Sequence, residues 1–348
     1  MQRTYRIPRP GIAATLLALL APLLAATQLA APADARVAIK MATLAPDGSV
    51  WDDLLREMGA EWQEATGGEV ALRIYAGGVA GDEPDVIRKM RIGQLHAASL
   101  TIAGLSSLDP AFEIFEIPMF FRSYDELFHV LDEMRPTLEK RLEERGYVLL
   151  HWMHGGWVHF FSKKPIRTVD DLRRQKLFVW AGNDDLVQLW RKNGFQPVAL
   201  AATDVMTGLQ TGMVEALPST PLAALSLQWF QQTPYMQDIG LAPLIGGTVI
   251  TVKTWNQLSP DQQSKLRKIA LATEGRLEKE VPRQDEKAVT QMKQRGLSLV
   301  EVPDQKEWRD AAEQFTAYKR EQMEAVDLLD TARRLRDAYR QSHGGAGE

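Results

Sequence analysis

Three histidines stand close together, His151, His154 and His159, and imidazole is the commonest side chain for binding zinc or moving protons near neutral pH. The run around them alternates like a strand, where residues three apart point to opposite faces, so His151 and His154 do not converge on one ion. No acidic cluster accompanies them. Adjacent carboxylates, Asp52 with Asp53, Asp170 with Asp171 and Asp184 with Asp185, are the residue type for general acid–base work. Their positions at expected helix starts read instead as charge that stabilises the N-terminal dipole. Gly-x-Ser-x-Gly, Gly-x-Gly-x-x-Gly, phosphate-loop and His-Glu-x-x-His patterns are all missing, which leaves the usual enzyme classes without their nucleophile, cofactor turn or metal helix. Cys is absent, so thiolate metal sites, disulfides and a lipid-modified cysteine are excluded. No catalytic residue, metal site or cofactor is assigned, and the chain reads as a non-enzyme.

The elements that must position any site alternate between short β-rich runs and amphipathic helical patterns, which argues for an α/β fold. Val37 to Met41 is a strand candidate, and Val70 to Tyr75 a second. Between them Ser49-Val50-Trp51-Asp52 carries a capping box, and Trp51, Leu54, Leu55, Met58 and Trp62 recur at helical spacing until Gly67-Gly68. The same start signal recurs at Ser123, Thr168 and Ser259, the last with Pro260 at the favoured first helical position. Ser259 to Met292 stays helical long enough to cross between domains, with Pro282 as a bend. Leu297 to Val302 reads as a strand and Trp308 to about Tyr339 as a helix.

With 348 residues, 45% hydrophobic and 25% charged, the chain is long enough for two domains with separate cores. A net charge of −4 without basic runs gives no field for nucleic acid. Arg3, Arg6 and Arg9, an apolar stretch from Ile12 to Leu29 and Ala33-Asp34-Ala35 form a secretory leader, expected to be cut after Ala35.

Five colinear stretches resemble the substrate-binding proteins of tripartite ATP-independent periplasmic (TRAP) transporters, the DctP-like family. They are Met41-Ala42-Thr43-Leu44-Ala45-Pro46-Asp47-Gly48-Ser49, Tyr75-Ala76-Gly77-Gly78-Val79-Ala80-Gly81-Asp82-Glu83, Pro118-Met119-Phe120-Phe121-Arg122, Lys164-Pro165-Ile166-Arg167-Thr168-Val169-Asp170-Asp171-Leu172 and Leu209-Gln210-Thr211-Gly212-Met213-Val214-Glu215. The resemblance implies two α/β lobes with a cleft between them, crossing hinge strands and a long bridging helix. The expected division is a leader over 1–35, lobe I over 36–157 with about 247–285, lobe II over 158–246 with about 286–340, and a flexible tail over 341–348. It further implies a periplasmic monomer serving a permease of small and large membrane subunits, driven by an ion gradient; the alternative is a stand-alone periplasmic carrier of a hydrophobic molecule.

Departures from the family pattern bear on the ligand. Members typically hold a ligand carboxylate with an Arg in a run like Lys-Ile-Arg-Val, whereas Lys176-Leu177-Phe178-Val179 puts Phe178 there, and Val158 takes the place of a second Arg. Losing one partner of a buried charge pair costs about 2–5 kcal/mol. Arg73, Arg88, Arg91, Arg122 and Lys163 are the cations near enough in sequence to substitute. Trp152, Trp157, Phe178 and Trp180 supply aromatic surface on strands expected to face the cleft, favouring a more apolar, aromatic or cationic solute. The expected ligand contacts are Leu44, Ala45, Asp47, Gly78 and Asp82 on one lobe, with Trp157, Val158, Phe178, Trp180, Ser219 and Thr220 opposite. Ser219 and Thr220 either hydrogen-bond the ligand or satisfy backbone at a turn.

Overall fold

The computed structural model describes residues 37–182 and 184–343. The expected leader with its cut after Ala35, and the end of the expected tail, lie outside these residues. The strands are β1 (Val37–Thr43), β2 (Val70–Tyr75), β3 (Ala97–Thr101), β4 (Tyr147–Ser162), β5 (Lys176–Trp180), β6 (Gln196–Leu200), β7 (Ala216–Ser219), β8 (Tyr235–Gln237), β9 (Ala242–Thr251) and β10 (Ser298–Val300). The helices are α1 (Val50–Ala65), α2 (Glu83–Arg91), α3 (Ile102–Leu108), α4 (Tyr124–Glu144), α5 (Val169–Arg173), α6 (Asp184–Lys192), α7 (Val205–Thr211), α8 (Pro221–Ser226), α9 (Val252–Trp255), α10 (Pro260–Gln294), α11 (Gln305–Gln322) and α12 (Val326–Ser342).

Local chemistry sets the helix starts. The hydroxyls of Ser49, Ser123, Thr168 and Ser259 each accept an amide of the first turn. At Thr168 and Ser259 the bond is reciprocated, by Asp171 and Gln262. At α1 and α4 the carboxylate reaches one residue farther back, Asp52 accepting the Gly48 amide at 3.0 Å and Glu126 the Arg122 amide at 2.9 Å. The paired acids lie in the first turns of α1, α5 and α6, where the helix dipole favours negative charge.

The strands follow the order β2-β1-β3-β9-β4-β7-β5-β6, with β8 joined to β4 and β10 to β8. β1 pairs in parallel with β2 and β3, and β5 with β6 and β7. These two parallel groups are joined through the antiparallel pair β9 and β4. The long β4 therefore belongs to both halves, pairing with β9 through most of its length and with β7 and β8 at its end. Its register shifts between Leu149 and His151 and again between His154 and Gly156, where Gly156 has φ 102°.

α10 spans 35 residues, roughly 50 Å at the rise of a helix, and runs unbroken through Pro282. Two of its carboxylates hold β4 by backbone amides, Glu274 that of Trp152 at 2.8 Å and Asp285 that of Trp157 at 3.2 Å. Asp285 also accepts the Leu222 amide at the start of α8, at 2.8 Å. One buried side chain thus ties the bridging helix to the crossing strand and to the second half.

The helix expected from Trp308 to Tyr339 is two helices. Met323 takes an extended conformation, ψ 129°, and the chain turns so that Met323, Ala325, Leu329 and Ala332 enter the core under α4. α12 therefore packs on α4, and Arg340 pairs with Glu126 at 2.8 Å; this last helix, assigned to lobe II from sequence, rejoins the first half. Gln341 and Ser342 complete it instead of opening a tail. Among the described residues no helix is long and apolar enough to cross a membrane.

Candidate ligand cleft

A cavity of about 280 Å³ lies where the two parallel groups meet. Its wall is built from the carboxyl ends of β1 (Thr43), β3 (Ser99 to Thr101), β5 (Trp180) and β7 (Pro218 and Ser219), with the β4 bulge and the start of β9. Open α/β sheets bind ligands at these strand ends, because the following turns leave a crevice there.

Among the described residues no Lys, Arg, Asp or Glu borders this cavity. Three of the hydroxyls on its wall are engaged with the protein itself. Ser99 Oγ lies 3.0 Å from Thr248 Oγ1, Thr101 Oγ1 donates to Glu83 at 2.7 Å, and Ser219 Oγ donates to the Thr220 carbonyl at 3.2 Å. His154 is the titratable residue on the wall; its ring lies edge-on to Tyr124 at 4.4 Å between centroids and close to Phe128. Neither ring nitrogen has a hydrogen-bond partner among the described residues. Burial pushes its pKa down to about 4, so the ring is neutral at pH 7.

Of the residues expected to touch ligand, Leu44, Ala45, Val158, Trp180 and Ser219 come together on this wall. The others do different work. Asp47 is exposed and pairs with Arg56 at 2.7 Å. Thr220 is fully buried and caps α8 by accepting the Ala223 amide, the backbone role among its two expected ones. Phe178, expected to replace the ligand-clamping Arg, is 1% exposed and packs edge-on against Trp180 with centroids 5.3 Å apart. Trp157 packs against Tyr124, centroids 5.2 Å apart, and borders none of the cavities described. The glycine conformation at 156 inserts an extra residue into the strand and turns the indole toward α4, away from the cleft.

Gly78 and Asp82 join the rim of the cleft instead of its wall. Asp82 caps α2, accepting the Glu83 amide at 2.9 Å, and its other oxygen accepts the Ala202 amide at 3.2 Å from the opposite half. At Gly78, φ 74°, an added Cβ would stand 2.9 Å from Thr203 Cγ2, so the backbone needs glycine to approach this closely. The proposed substitute cations are elsewhere: Arg73, Arg91 and Arg122 are exposed, Arg88 pairs with Asp85, and Lys163 donates to the Leu209 carbonyl. Sequence reasoning missed Trp51, Leu244 and Pro218 on the wall. Trp51 shares the helical spacing of Leu54, Leu55, Met58 and Trp62, a pattern that by itself signals packing; its indole N–H donates to the His154 carbonyl at 3.0 Å.

Two further cavities adjoin. One of about 320 Å³, under α11, is bordered by Phe178, Trp180, Glu83, Glu113, Glu116 and Lys319 among others. The Lys319 ammonium is nearly buried, 2.8 Å from Glu116 and 3.8 Å from Glu113. Burial pushes the Glu113 carboxyl above its ordinary range although Lys319 opposes the shift. A second, of about 200 Å³, lies beneath α5 and α11. The other histidines do not gather: His151 Nδ1 donates to the Trp152 carbonyl and His159 Nδ1 to the Gln237 carbonyl. Among the described residues no group of three His, Asp or Glu could hold a metal.

Comparison with known proteins agrees with this fold. The chain is 23% identical over 215 residues to the uncharacterised protein YiiZ of Salmonella typhimurium, covering 61% of this chain and 65% of that one. A TRAP periplasmic solute-binding protein of Roseobacter denitrificans, solved with bound β-D-glucuronate, superposes with a TM-score of 0.80 at 21% identity, covering 85% of this chain and 99% of that one. One from Pseudomonas putida F1, with bound D-glucuronate, gives a TM-score of 0.75 at 26% identity over 83% and 96% of the two chains. Residues 41–322 match the family described as bacterial extracellular solute-binding protein, family 7, named DctP. The chain belongs to that family.

Proposed function

We propose that this protein captures an uncharged, apolar or aromatic solute in the periplasm and delivers it to a TRAP permease of small and large membrane subunits. The observation that carries the ligand class is the uncharged wall of the cleft cavity. A carboxylate placed there would lose its water and gain no cation in return, at a cost of several kcal/mol. Trp51, Trp180 and Trp229 instead offer aromatic surface, which favours burial of an apolar or ring-bearing solute. The Roseobacter and Pseudomonas proteins hold a sugar acid; on this reading the chain keeps their fold with a different recognition chemistry. Both halves contribute wall residues, and the rim contact between Asp82 and Ala202 gives a bound solute a way to favour one arrangement of the halves for a membrane partner to read.

The test is a thermal-shift screen of protein unfolded and refolded to remove co-purified ligand, against one panel of sugar acids and small carboxylates and another of neutral and aromatic compounds. A ligand at 100 times its Kd stabilises by about 2.7 kcal/mol, a shift of several degrees. Hits confined to the neutral panel are expected; hits confined to the carboxylates would reject the uncharged-ligand reading.

A further inference from the structure

Leu244 and Pro218 border all three cavities, and Val158 borders both the cleft cavity and the one beneath α5 and α11. Leu244 faces Gly156 across the bulge, and an added Cβ at Gly155 would stand 2.7 Å from Leu244 Cδ2. The bulge therefore makes the seat in which this side chain divides the two spaces. At the divider the backbone offers few donors, because Pro218 and Pro243 lack an N–H. Beyond it the cavity beneath α5 and α11 is walled by Phe160, Leu172, Trp190, Trp308 and Phe315. The two charged residues that reach it among the described residues are already engaged, Glu116 with Lys319 at 2.8 Å and Arg173 with Asp170 at 2.7 Å. A cleft cavity of about 280 Å³ falls just short of the roughly 300–1,000 Å³ of ordinary ligand sites, and joining it to the 200 Å³ space brings it within that range.

We infer that the ligand is an elongated apolar molecule, one end in the cleft cavity against Trp180 and the other past Leu244 and Pro218 into the space beneath α11. This rests on the reading that the ligand is uncharged, and adds its shape. The chemical class is a neutral chain or linear ring system longer than a monosaccharide. The pocket measures it by length, since each methylene buried beyond Leu244 tightens binding by about fourfold.

The experiment is calorimetric titration of the refolded protein with straight-chain primary alkanols of increasing length, with glucuronate alongside. Affinity should rise about fourfold per carbon and then level off when the far cavity is full. Ala312→Phe, which narrows that cavity from α11, should leave the shortest binding alcohol unchanged and remove the gain for longer ones. Leu244→Ala removes volume and so does not overpack the site; it should admit a phenyl-substituted alkanol that the wild-type protein rejects. Short alcohols or compact neutral rings that bind without any gain from length would overturn the extended path and leave the uncharged-ligand reading standing. Glucuronate binding with no alkanol binding would overturn both, as would no binding by any alcohol. Equal weakening of short and long alcohols by Ala312→Phe, together with no new specificity in Leu244→Ala, also defeats the path.

Discussion

The cleft cavity and the cavity under α11 meet at Trp180 and Leu244 but differ in chemistry. Among the described residues the first has no charged side chain on its wall, while the second carries Asp82, Glu83, Glu113, Glu116 and Lys319. Each buried charge in the second has a partner that belongs to the fold. Asp82 holds two backbone amides, Glu83 holds the Thr101 amide and hydroxyl, and Lys319 ties α11 to Glu116. In this part of the molecule charge fixes elements in place, and the space left for a solute is lined by rings and methyl groups.

The largest expected effect tests whether Phe178 belongs to a ligand clamp or to the core. In Phe178→Arg, a guanidinium replaces a ring that is 1% exposed and packed on Trp180. Losing the ring alone costs about 3–5 kcal/mol, a large part of the 5–15 kcal/mol typical of a whole domain, and the buried charge adds to it. Urea unfolding should show a loss of roughly 4 kcal/mol or more. A stable variant that gains glucuronate binding would instead place this position in the cleft.

Trp180→Ala separates the two cavities from the core behind them. The indole is half-buried and borders both spaces. Removing it should weaken an apolar ligand by roughly ten- to a hundredfold, the equivalent of one large buried side chain, with a smaller change in unfolding than Phe178→Arg. Equal affinity in wild type and variant, read by calorimetry, would mean that the ligand does not touch this wall. Asp82→Ala acts on the rim. It removes a helix cap of about 1 kcal/mol and the bond to Ala202 across the cleft, and ligand should dissociate about fivefold faster in stopped-flow. An unchanged dissociation rate would reduce Asp82 to a helix cap.

How far the sequence reached follows from the range of the forces involved. Caps at Ser49, Thr168 and Ser259 were legible because the donor, the acceptor and the helix that needs them lie within four residues. The strand ends around Leu44 and Ser219 were legible through family resemblance, and they do meet at one cavity. Trp157 was misplaced because strand alternation holds only until a bulge, and the shift between His154 and Gly156 turns it toward α4. Phe178 lies off the wall of the cleft cavity, on the border of the adjoining cavity and 1% exposed: position in a family pattern says which strand a side chain is on, while burial depends on what packs behind it. Leu244 and Pro218 gave no local signal, since their place on the wall depends on β7 and β9 flanking β4 from opposite sides. The break at Met323 was hidden as well, because helical periodicity continues across it and only the core under α4 makes the turn favourable.

The smallest effect concerns Glu83, the most buried acid of the charged region. Desolvation pushes its pKa from 4.5 up to about 7, against the opposing hydrogen bonds from the Thr101 amide and hydroxyl, and the neighbouring Asp82 charge raises it further. The folded protein therefore holds this proton at pH values where the unfolded chain has released it, so the stability it contributes is full below about pH 4.5 and is lost as pH rises through 7. Glu83→Gln keeps the shape, with the amide oxygen still accepting the Thr101 N–H and the amide nitrogen donating to Oγ1. Between pH 4.5 and 7 the melting temperature of wild type should fall relative to that of the variant, and above pH 8 the variant should be at least as stable. Because the cleft cavity carries no charged wall group and His154 is already neutral above about pH 4, ligand affinity at saturating stability should not follow the same curve. Parallel melting curves for the two proteins would mean that Glu83 is solvated. An affinity that tracks the Glu83 titration would break the division between the two regions, by placing the ligand within reach of the charge.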